Sequence, residues 1–428
     1  MKITAVFQLV LVAVLAALTY MAKPAPRGIG SIELAIAFFL FMFISVTLVN
    51  LLVLHRFRVG LYSKQIYMIL SIYFLIWILS ALLSLARGTE PYSVFRSVVP
   101  YVLFVPLVMR TVSTKSWGVN LAFILTSIGF IQAIDIWHLY VSNVSLSADL
   151  TTVIQGRITL LESRTTVPYF LAAIFLPLSF AMRFKSSAVR IAWVFVSFFS
   201  SMVPLLTQTR SQLLAVVCGL IAFAWYAGLA YSRRRSFFQR ARMLGLFLVV
   251  ALILSWLISS MPIARHLAIA LYERARIAGD NGRITEEWLP ALQVYLDGDI
   301  IGLLMGIGSG TPFITASGLE RTYIHNLTLY TLVYTGVIGL VATGMFYWLV
   351  TKALLRLYAR FGDPLYLGYF SLVIALFLYA QFFAVHKLLS FNLMIIGASS
   401  VVAGLYPLGR SLSLWRSHGF GVGQDENS

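Results

Sequence analysis

The feature that most constrains this chain is its series of uninterrupted apolar runs. Each is about 18–25 residues long, enough to cross a bilayer as a helix. They lie near residues 3–22, 32–54, 65–86, 94–110, 117–137, 167–183, 190–207, 211–231, 243–261, 325–350, 364–385 and 388–407. In hydrocarbon every backbone N–H and C=O must find a partner within the protein, which restricts runs of this length to helices. The expectation is an all-α integral membrane protein with about twelve transmembrane helices. Composition agrees: of 428 residues 60% are hydrophobic and 11% charged, and the mean hydropathy is +0.89. A soluble protein of this size carries roughly 25% charged residues. No small-residue cleavage site follows the first run, so it reads as a first span and not as a removed signal peptide.

A net charge of +17 raises nucleic acid as a partner. The distribution of the charge argues for topology instead. More than half of the 32 lysines and arginines fall in alternate gaps, among them Arg56, Arg58, Lys64, Arg183, Lys185, Arg233, Arg234, Arg235, Lys352, Arg356 and Arg360. By the positive-inside rule those gaps and both termini are cytoplasmic, and the basic excess needs no nucleic acid. Most acids fall on the other side, including Glu90, Asp149, Glu286, Glu287, Asp297, Asp299 and Glu320. The single cysteine, Cys218, lies in an apolar run, which excludes a disulfide within the chain and any cysteine zinc site. The expected organisation has helices one to nine over 1–261, with an outer loop near 138–166. A large, partly helical outer loop follows at 262–324, then helices ten to twelve over 325–410 and a polar cytoplasmic tail at 411–428.

Polar chemistry gathers at the outer ends of the helices. The large loop holds Arg265, Arg274, Arg276, Arg283 and Arg321, and ends at Tyr323-Ile324-His325-Asn326. A titratable imidazole among permanent cations at a bilayer surface points to chemistry on an anionic, lipid-borne substrate. Residues 264–278 read as an amphipathic surface helix. A second helix is expected from Arg283, with Ile284, Trp288, Leu292 and Tyr295 on one stripe. Arg283 at that helix start would combine its own charge with free backbone N–H groups. Gly302, Gly306, Gly308 and Gly310, with Ser309, form a glycine-rich turn that could face an oxyanion or serve structure alone. It lacks the lysine and the strand of a nucleotide loop. Asp297-Gly298-Asp299 reads as a turn before a metal site.

Arg210 stands in a short polar hinge, Thr207-Gln208-Thr209-Arg210-Ser211-Gln212, between two apolar runs. An arginine at the bilayer centre costs at least ~2.5–3.5 kcal/mol, so this one faces protein, an aqueous cavity or headgroups, and it seeks an anion. Asp135 could pair with a cation or hold a sugar hydroxyl. Lys387, beside His386 in the turn between the last two helices, could add a phosphate contact. His138 and His266 read as interfacial residues.

Together these motifs resemble the O-antigen ligase family, which shares a core with O-antigen polymerases and some protein O-oligosaccharyltransferases. The resemblance rests on Thr209-Arg210-Ser211 in the mid-chain hinge and on Gly282-Arg283 with Trp288 in the large loop. It also rests on His325-Asn326 opening the next helix before Gly336-Val337-Ile338-Gly339, and on the twelve-helix layout. The motif-bearing part is roughly 205–345, about a third of the chain. The resemblance implies a GT-C-like glycosyltransferase of the Gram-negative inner membrane. It would move glycan from undecaprenyl-diphosphate-linked O-antigen to lipid A–core oligosaccharide on the periplasmic side, with no metal, nucleotide or other cofactor. It implies His325 as catalytic base and Arg210 and Arg283 as diphosphate contacts. Arg265, Arg276, Gln212, Tyr323, Asn326 and Lys387 are candidates for support.

The chemistry is coherent without the name. Arginine forks stabilise charge on a departing diphosphate, and a histidine kept neutral by neighbouring arginine charge removes a proton from the incoming hydroxyl. Direct displacement would invert the anomeric centre. The same donor would serve a polymerase or a protein-glycosylating enzyme. Transport is the alternative of a different class, but transporters place ionisable groups at the midplane, whereas here they gather at one face.

Overall fold

The computed structural model describes residues 2–22, 31–54, 57–59, 62–109, 114–145, 167–207, 209–232, 283–403 and 405–407. The expected span at 243–261, the surface helix at 264–278 with Arg265 and Arg276, and most of the loop at 138–166 lie outside them.

The described chain is a mostly helical, multi-pass membrane protein. Its helices are α1 (Lys2–Met21), α2 (Ser31–Leu54), α3 (Ser63–Ala86), α4 (Pro91–Val102), α5 (Thr114–Ser145), α6 (Tyr169–Arg183), α7 (Ser187–Ser201), α8 (Val203–Leu206) and α9 (Arg210–Ser232). After the undescribed stretch come α10 (Leu289–Leu296), α11 (Ile300–Met305), α12 (Leu327–Phe361), α13 (Pro364–Phe382) and α14 (Leu389–Val402). Among the described residues eight stretches are long and apolar enough to cross a membrane, and three shorter apolar helices accompany them. Together they occupy every expected span except 243–261. The all-α expectation needs one amendment. Strand β1 (Phe57–Val59) pairs antiparallel with β4 (Leu405–Pro407), and β2 (Phe313–Ile314) pairs with β3 (Glu320–Arg321).

Some boundaries move for local reasons. The span expected at 94–110 is helical only to Val102, beyond Pro100, and finishes as a 3₁₀ turn over Val105–Met109. Helix α5 runs to Ser145, through the start of the expected outer loop. Pro204 stands in the first turn of α8 and separates it from α7, so the span at 190–207 is two helices. Helix α12 extends to Phe361 and is closed by Gly362 in the left-handed region.

A bilayer gives apolar helices no hydrophobic reason to associate, so close packing and interhelical hydrogen bonds carry the bundle. Helices α6, α13 and α14 form its centre, with almost every side chain of α14 buried. Trp117 Nε1 donates to Ser400 Oγ (2.7 Å), Tyr369 OH to the Gly118 carbonyl (2.7 Å) and Gln8 Nε2 to Thr47 Oγ1 (2.9 Å). Each joins two helices.

A second, smaller core ties α10, α11 and the β2–β3 hairpin to the ends of α3, α4 and α12. It contains Tyr73, Trp77, Tyr101, Ala291, Tyr295, Phe313, Ile324, Tyr330 and Tyr334. Trp77 stacks flat on Tyr101 at 3.8 Å between ring centroids. The backbones also touch. Gly336 interrupts α12 with φ 68° and ψ −170°, and a Cβ there would lie 2.2 Å from the Leu304 carbonyl oxygen. Gly306 (φ 82°) meets the Tyr334 backbone in the same way, at 2.3 Å, and the Ile307 N–H donates to the Val333 carbonyl (2.8 Å). Only glycine combines that close approach with positive φ.

Candidate functional site

The site grows from the segment that starts at Arg283. A π turn over Ile284–Trp288 precedes α10, and its wide spacing rotates the helix face. The buried positions are Glu287, Ala291 and Tyr295, with Trp288 and Leu292 partly buried, while Ile284 is exposed. The expected stripe therefore shifts by about one position at its N-terminal end and carries a carboxylate inward. The hairpin is laced to this turn. The Ala316 N–H donates to the Glu286 carbonyl (3.0 Å), and the Ser317 N–H to Glu286 Oε1 (3.1 Å). That places β3, and with it Arg321, beside Glu287.

Glu287 is the organising group. Its side chain is 1% exposed. Oε2 lies 2.7 Å from His325 Nδ1 and accepts from Arg321 Nη1 at 2.9 Å, and Oε1 accepts the His325 backbone N–H. Burial raises the carboxyl's pKa, but the hydrogen bonds from His325 and the charge of Arg321 outweigh it, and the net shift is downward. An ionised carboxylate on Nδ1 assigns the Nδ1–H tautomer and leaves the Nε2 lone pair to accept a proton. Sequence reasoning expected arginine charge alone to prepare this imidazole; the direct partner is an acid. Ile324, fully buried, anchors the residue before the histidine, whose own side chain remains 18% exposed.

Two aromatic rings contact the imidazole edge-to-face: Tyr323 at 5.2 Å and Phe383 at 5.8 Å. The cations are arranged on these rings. The Arg283 guanidinium lies 5.8 Å from the Phe383 centroid and donates to the Phe382 carbonyl at 2.5 Å. The Arg321 guanidinium lies 5.8 Å from the Tyr323 centroid and the Lys387 ammonium 5.3 Å from it. Lys387 also donates to the Thr322 carbonyl (3.3 Å). Burial, reinforced by the charge of Arg96 on α4, pushes the Lys387 ammonium down to about 7.

Arg210 is the exposed first residue of α9. The hinge is tied to this end of the bundle through Gln212. Gln212, buried, takes the Thr207 hydroxyl on its Oε1 (2.8 Å) and donates from Nε2 to Tyr379 OH (2.8 Å). Tyr379 in turn stacks on Phe383 (5.7 Å). Gln212 thus fixes the start of α9 to α13 and is not itself a surface contact. Asn326 proves to be the N-cap of α12: its Oδ1 accepts from the Leu329 N–H (2.7 Å), and its Nδ2 donates to the Gln381 carbonyl (2.9 Å). The structure therefore brings Arg283, His325, Tyr323 and Lys387 together; of the mid-chain hinge it ties Gln212 to α13, while Arg210 itself stands exposed at the start of α9. Arg265 and Arg276 are outside the described residues.

The other histidine at this end, His386, is fully buried and packs on Tyr330 at 4.8 Å. Burial, then the charges of Lys387 and His325, push its pKa well below the ordinary range. It stays neutral and out of reach, which leaves His325 as the accessible imidazole of the two. Asp299 spends its Oδ1 capping α11 through the Gly302 N–H (2.7 Å) and facing Arg87 (3.6 Å), so the D-x-D triplet is a turn and cap. The glycine turn is also structural, since Ile307 and Ser309 N–H groups go to carbonyls of Val333 and Ser80. Asp135 takes the hydroxyl of Tyr20, and His138 is exposed. Among the described residues no group of three or more His, Cys, Asp or Glu could hold a metal ion.

Sequence reasoning missed Glu287 as a functional group, although its spacing of four and eight residues from Ala291 and Tyr295 was the available signal. It also missed Phe383 and Arg96, which carry no local motif. No family model matches the chain, and no curated protein matches it in sequence.

Proposed function

We propose that this protein is an integral membrane glycosyltransferase of the O-antigen ligase type, with twelve membrane spans in a GT-C-like arrangement. In this reading it acts at the periplasmic face of a Gram-negative inner membrane. It transfers glycan from undecaprenyl diphosphate to lipid A–core oligosaccharide. The observation that carries the reading is the Glu287–His325 pair standing among Arg283, Arg321 and Lys387 at one end of a membrane bundle.

The mechanism follows from the geometry. Glu287 holds Nδ1–H, so Nε2 takes the proton of the acceptor hydroxyl. The oxygen attacks the anomeric carbon from the face opposite the diphosphate and forms the new glycosidic bond. The bond from that carbon to the diphosphate oxygen breaks, and its electron pair leaves with the diphosphate. Arg283, whose fork retains donors beyond the one given to Phe382, and Arg210 stabilise the charge that develops there. The imidazolium, stabilised by Glu287, then releases its proton to water or to the diphosphate. One displacement inverts the anomeric configuration.

Reconstituted protein supplied with the lipid-linked donor, and separately with lipid A–core, unlinked repeat units and acceptor protein, tests the assignment. Transfer to lipid A–core alone supports the ligase. Transfer to a repeat unit or to protein redirects it to a polymerase or an O-oligosaccharyltransferase, and glycan flux without transfer would identify a transporter.

A further inference from the structure

The short helix α11 rests on two spans at the end of the bundle that carries Glu287. Its Leu304 carbonyl meets Gly336 of α12, and the chain that follows it runs along Ser80 and Ser84 of α3. Gly336 stands well inside α12, about 15 Å from the Asn326 cap at 1.5 Å per residue, and Ser80 lies inward of Ala86, where α3 ends. The helix therefore lies alongside the spans and not above them. Its outward side chains are apolar: Ile300 is 74% exposed, Ile301 53% and Leu304 47%. The spans it rests on show the same surface, with Leu82 and Leu85 of α3 and Val337 and Val341 of α12 exposed. Both spans are long and apolar enough to cross a membrane, so the edge of α11 continues a face that meets lipid. Charge appears only at its rim, where Asp299 faces Arg87 at the end of α3 (3.6 Å).

The backbone supplies a second, independent observation. A turn in water can leave its amides and carbonyls to solvent, whereas one at hydrocarbon depth must pair them within the protein. The turn after α11 takes the second form. The amides of Gly306, Ile307 and Ser309 donate to the carbonyls of Gly302 (2.7 Å), Val333 (2.8 Å) and Ser80 (3.3 Å). Arg87 Nη1 donates to the carbonyls of Gly306 (3.4 Å) and Ile307 (3.1 Å), and Ser80 Oγ donates to the Tyr334 carbonyl beside the kink (2.7 Å).

We propose that α11 is a membrane-docking element: Ile300, Ile301 and Leu304 enter the acyl-chain region of the leaflet at this end of the bundle, with the Arg87–Asp299 pair at headgroup level. Apolar residues on a short surface helix, rimmed by charge, bind a bilayer in this way. The docked edge sets the height of the lobe in which Glu287 meets His325, because α10 and α11 belong to one aromatic core. The inference needs the membrane-spanning bundle and no glycosyl transfer, so it stands or falls apart from the function proposed above.

The test uses the full-length protein in nanodiscs of phosphatidylethanolamine and phosphatidylglycerol. In a Cys218→Ala background, nitroxide labels are placed singly on Ile300→Cys and Leu304→Cys. Val341→Cys, exposed on α12, serves as the reference in lipid, and Ala316→Cys, exposed on the β2–β3 hairpin, as the reference in water. Collision rates with molecular oxygen, which concentrates in acyl chains, and with a water-soluble nickel chelate are then compared. Labels at 300 and 304 should show an oxygen-to-chelate ratio close to that at 341 and several-fold above that at 316. A ratio equal to that at 316 would place the edge in water and overturn the inference. Exclusion of both quenchers with dipolar broadening between labels would make the edge an interface between two copies of the chain. Exclusion without broadening would mean that another part of the chain covers it, and either result overturns the lipid assignment. The unsubstituted protein gives a second reading. A phospholipid with a photoreactive group in mid-chain should label residues 300–304 as well as the exposed face of α12, and labelling of α12 alone would likewise refute the docking.

Discussion

Replacing Glu287 by glutamine removes one charge and almost no volume, and the structure dictates what fails. The carboxylate accepts the His325 backbone N–H on Oε1 and both Nδ1–H and Arg321 on Oε2. A glutamine has one oxygen. If that oxygen stays on Nδ1 and Arg321, the amide NH₂ confronts the His325 N–H. If it turns to the N–H, the NH₂ confronts Arg321 and requires Nδ1 to accept, which moves the ring proton to Nε2 and disables the base. Either arrangement forfeits at least one charge-assisted hydrogen bond, worth about 1.5–3 kcal/mol, and the second also spoils the tautomer. We expect kcat to fall by about 10²–10³, equivalent to roughly 2.7–4 kcal/mol, with the KM for the donor nearly unchanged because Glu287 touches no substrate. Single-turnover transfer of labelled glycan by purified protein, with thermal melting run in parallel, measures both. A folded Glu287→Gln variant with kcat within about threefold of wild type would show that the carboxylate does not position the base.

Three further outcomes follow from the same geometry. His325→Ala should abolish transfer and lower the melting temperature somewhat, since it takes one partner from the buried Glu287 carboxylate, while the protein stays folded and inserted; near-normal transfer would remove the base assignment. Gly336→Ala should lower thermal stability by several kcal/mol, since its Cβ would lie 2.2 Å from the Leu304 carbonyl oxygen at a positive φ, and unchanged melting would refute that contact. Lys387 has a folded pKa of about 7, below its ordinary 10.5, so the unfolded chain binds more protons between those values and stability should rise with pH across that window. Lys387→Met should therefore flatten the rise in melting temperature between pH 7 and 9, and an unchanged rise would refute the burial of this ammonium.

How much of this was legible in the sequence depends on the scale of the signal. Spans announce themselves through some twenty residues each, so the helical layout was readable, and Asn326 marked the start of α12, whereas its continuation past 350 to Gly362 was not read. Arg283 and His325 were readable because a lone cation and a lone imidazole at a helix mouth have few structural uses. The phase of the segment after Arg283 was not, because a π turn shifts the register by part of a turn and has no residue signature. That shift hid Glu287 among the solvated acids of the loop. The contacts of Phe383, Arg96 and Lys387 depend on which helix ends meet, and nothing local encodes that. The glycines could be counted, but only the meeting of the Leu304 and Gly336 backbones shows that they serve packing.

The account depends on one lipid diphosphate seated beside His325. A photoreactive group placed next to the diphosphate of a prenyl donor analogue, activated on the full-length protein and followed by peptide mapping, tests this most directly. Labels should fall within 283–288, 321–326 and 381–387, and Arg283→Gln should diminish them. Labelling confined to other helices, unaffected by that substitution, would contradict the account.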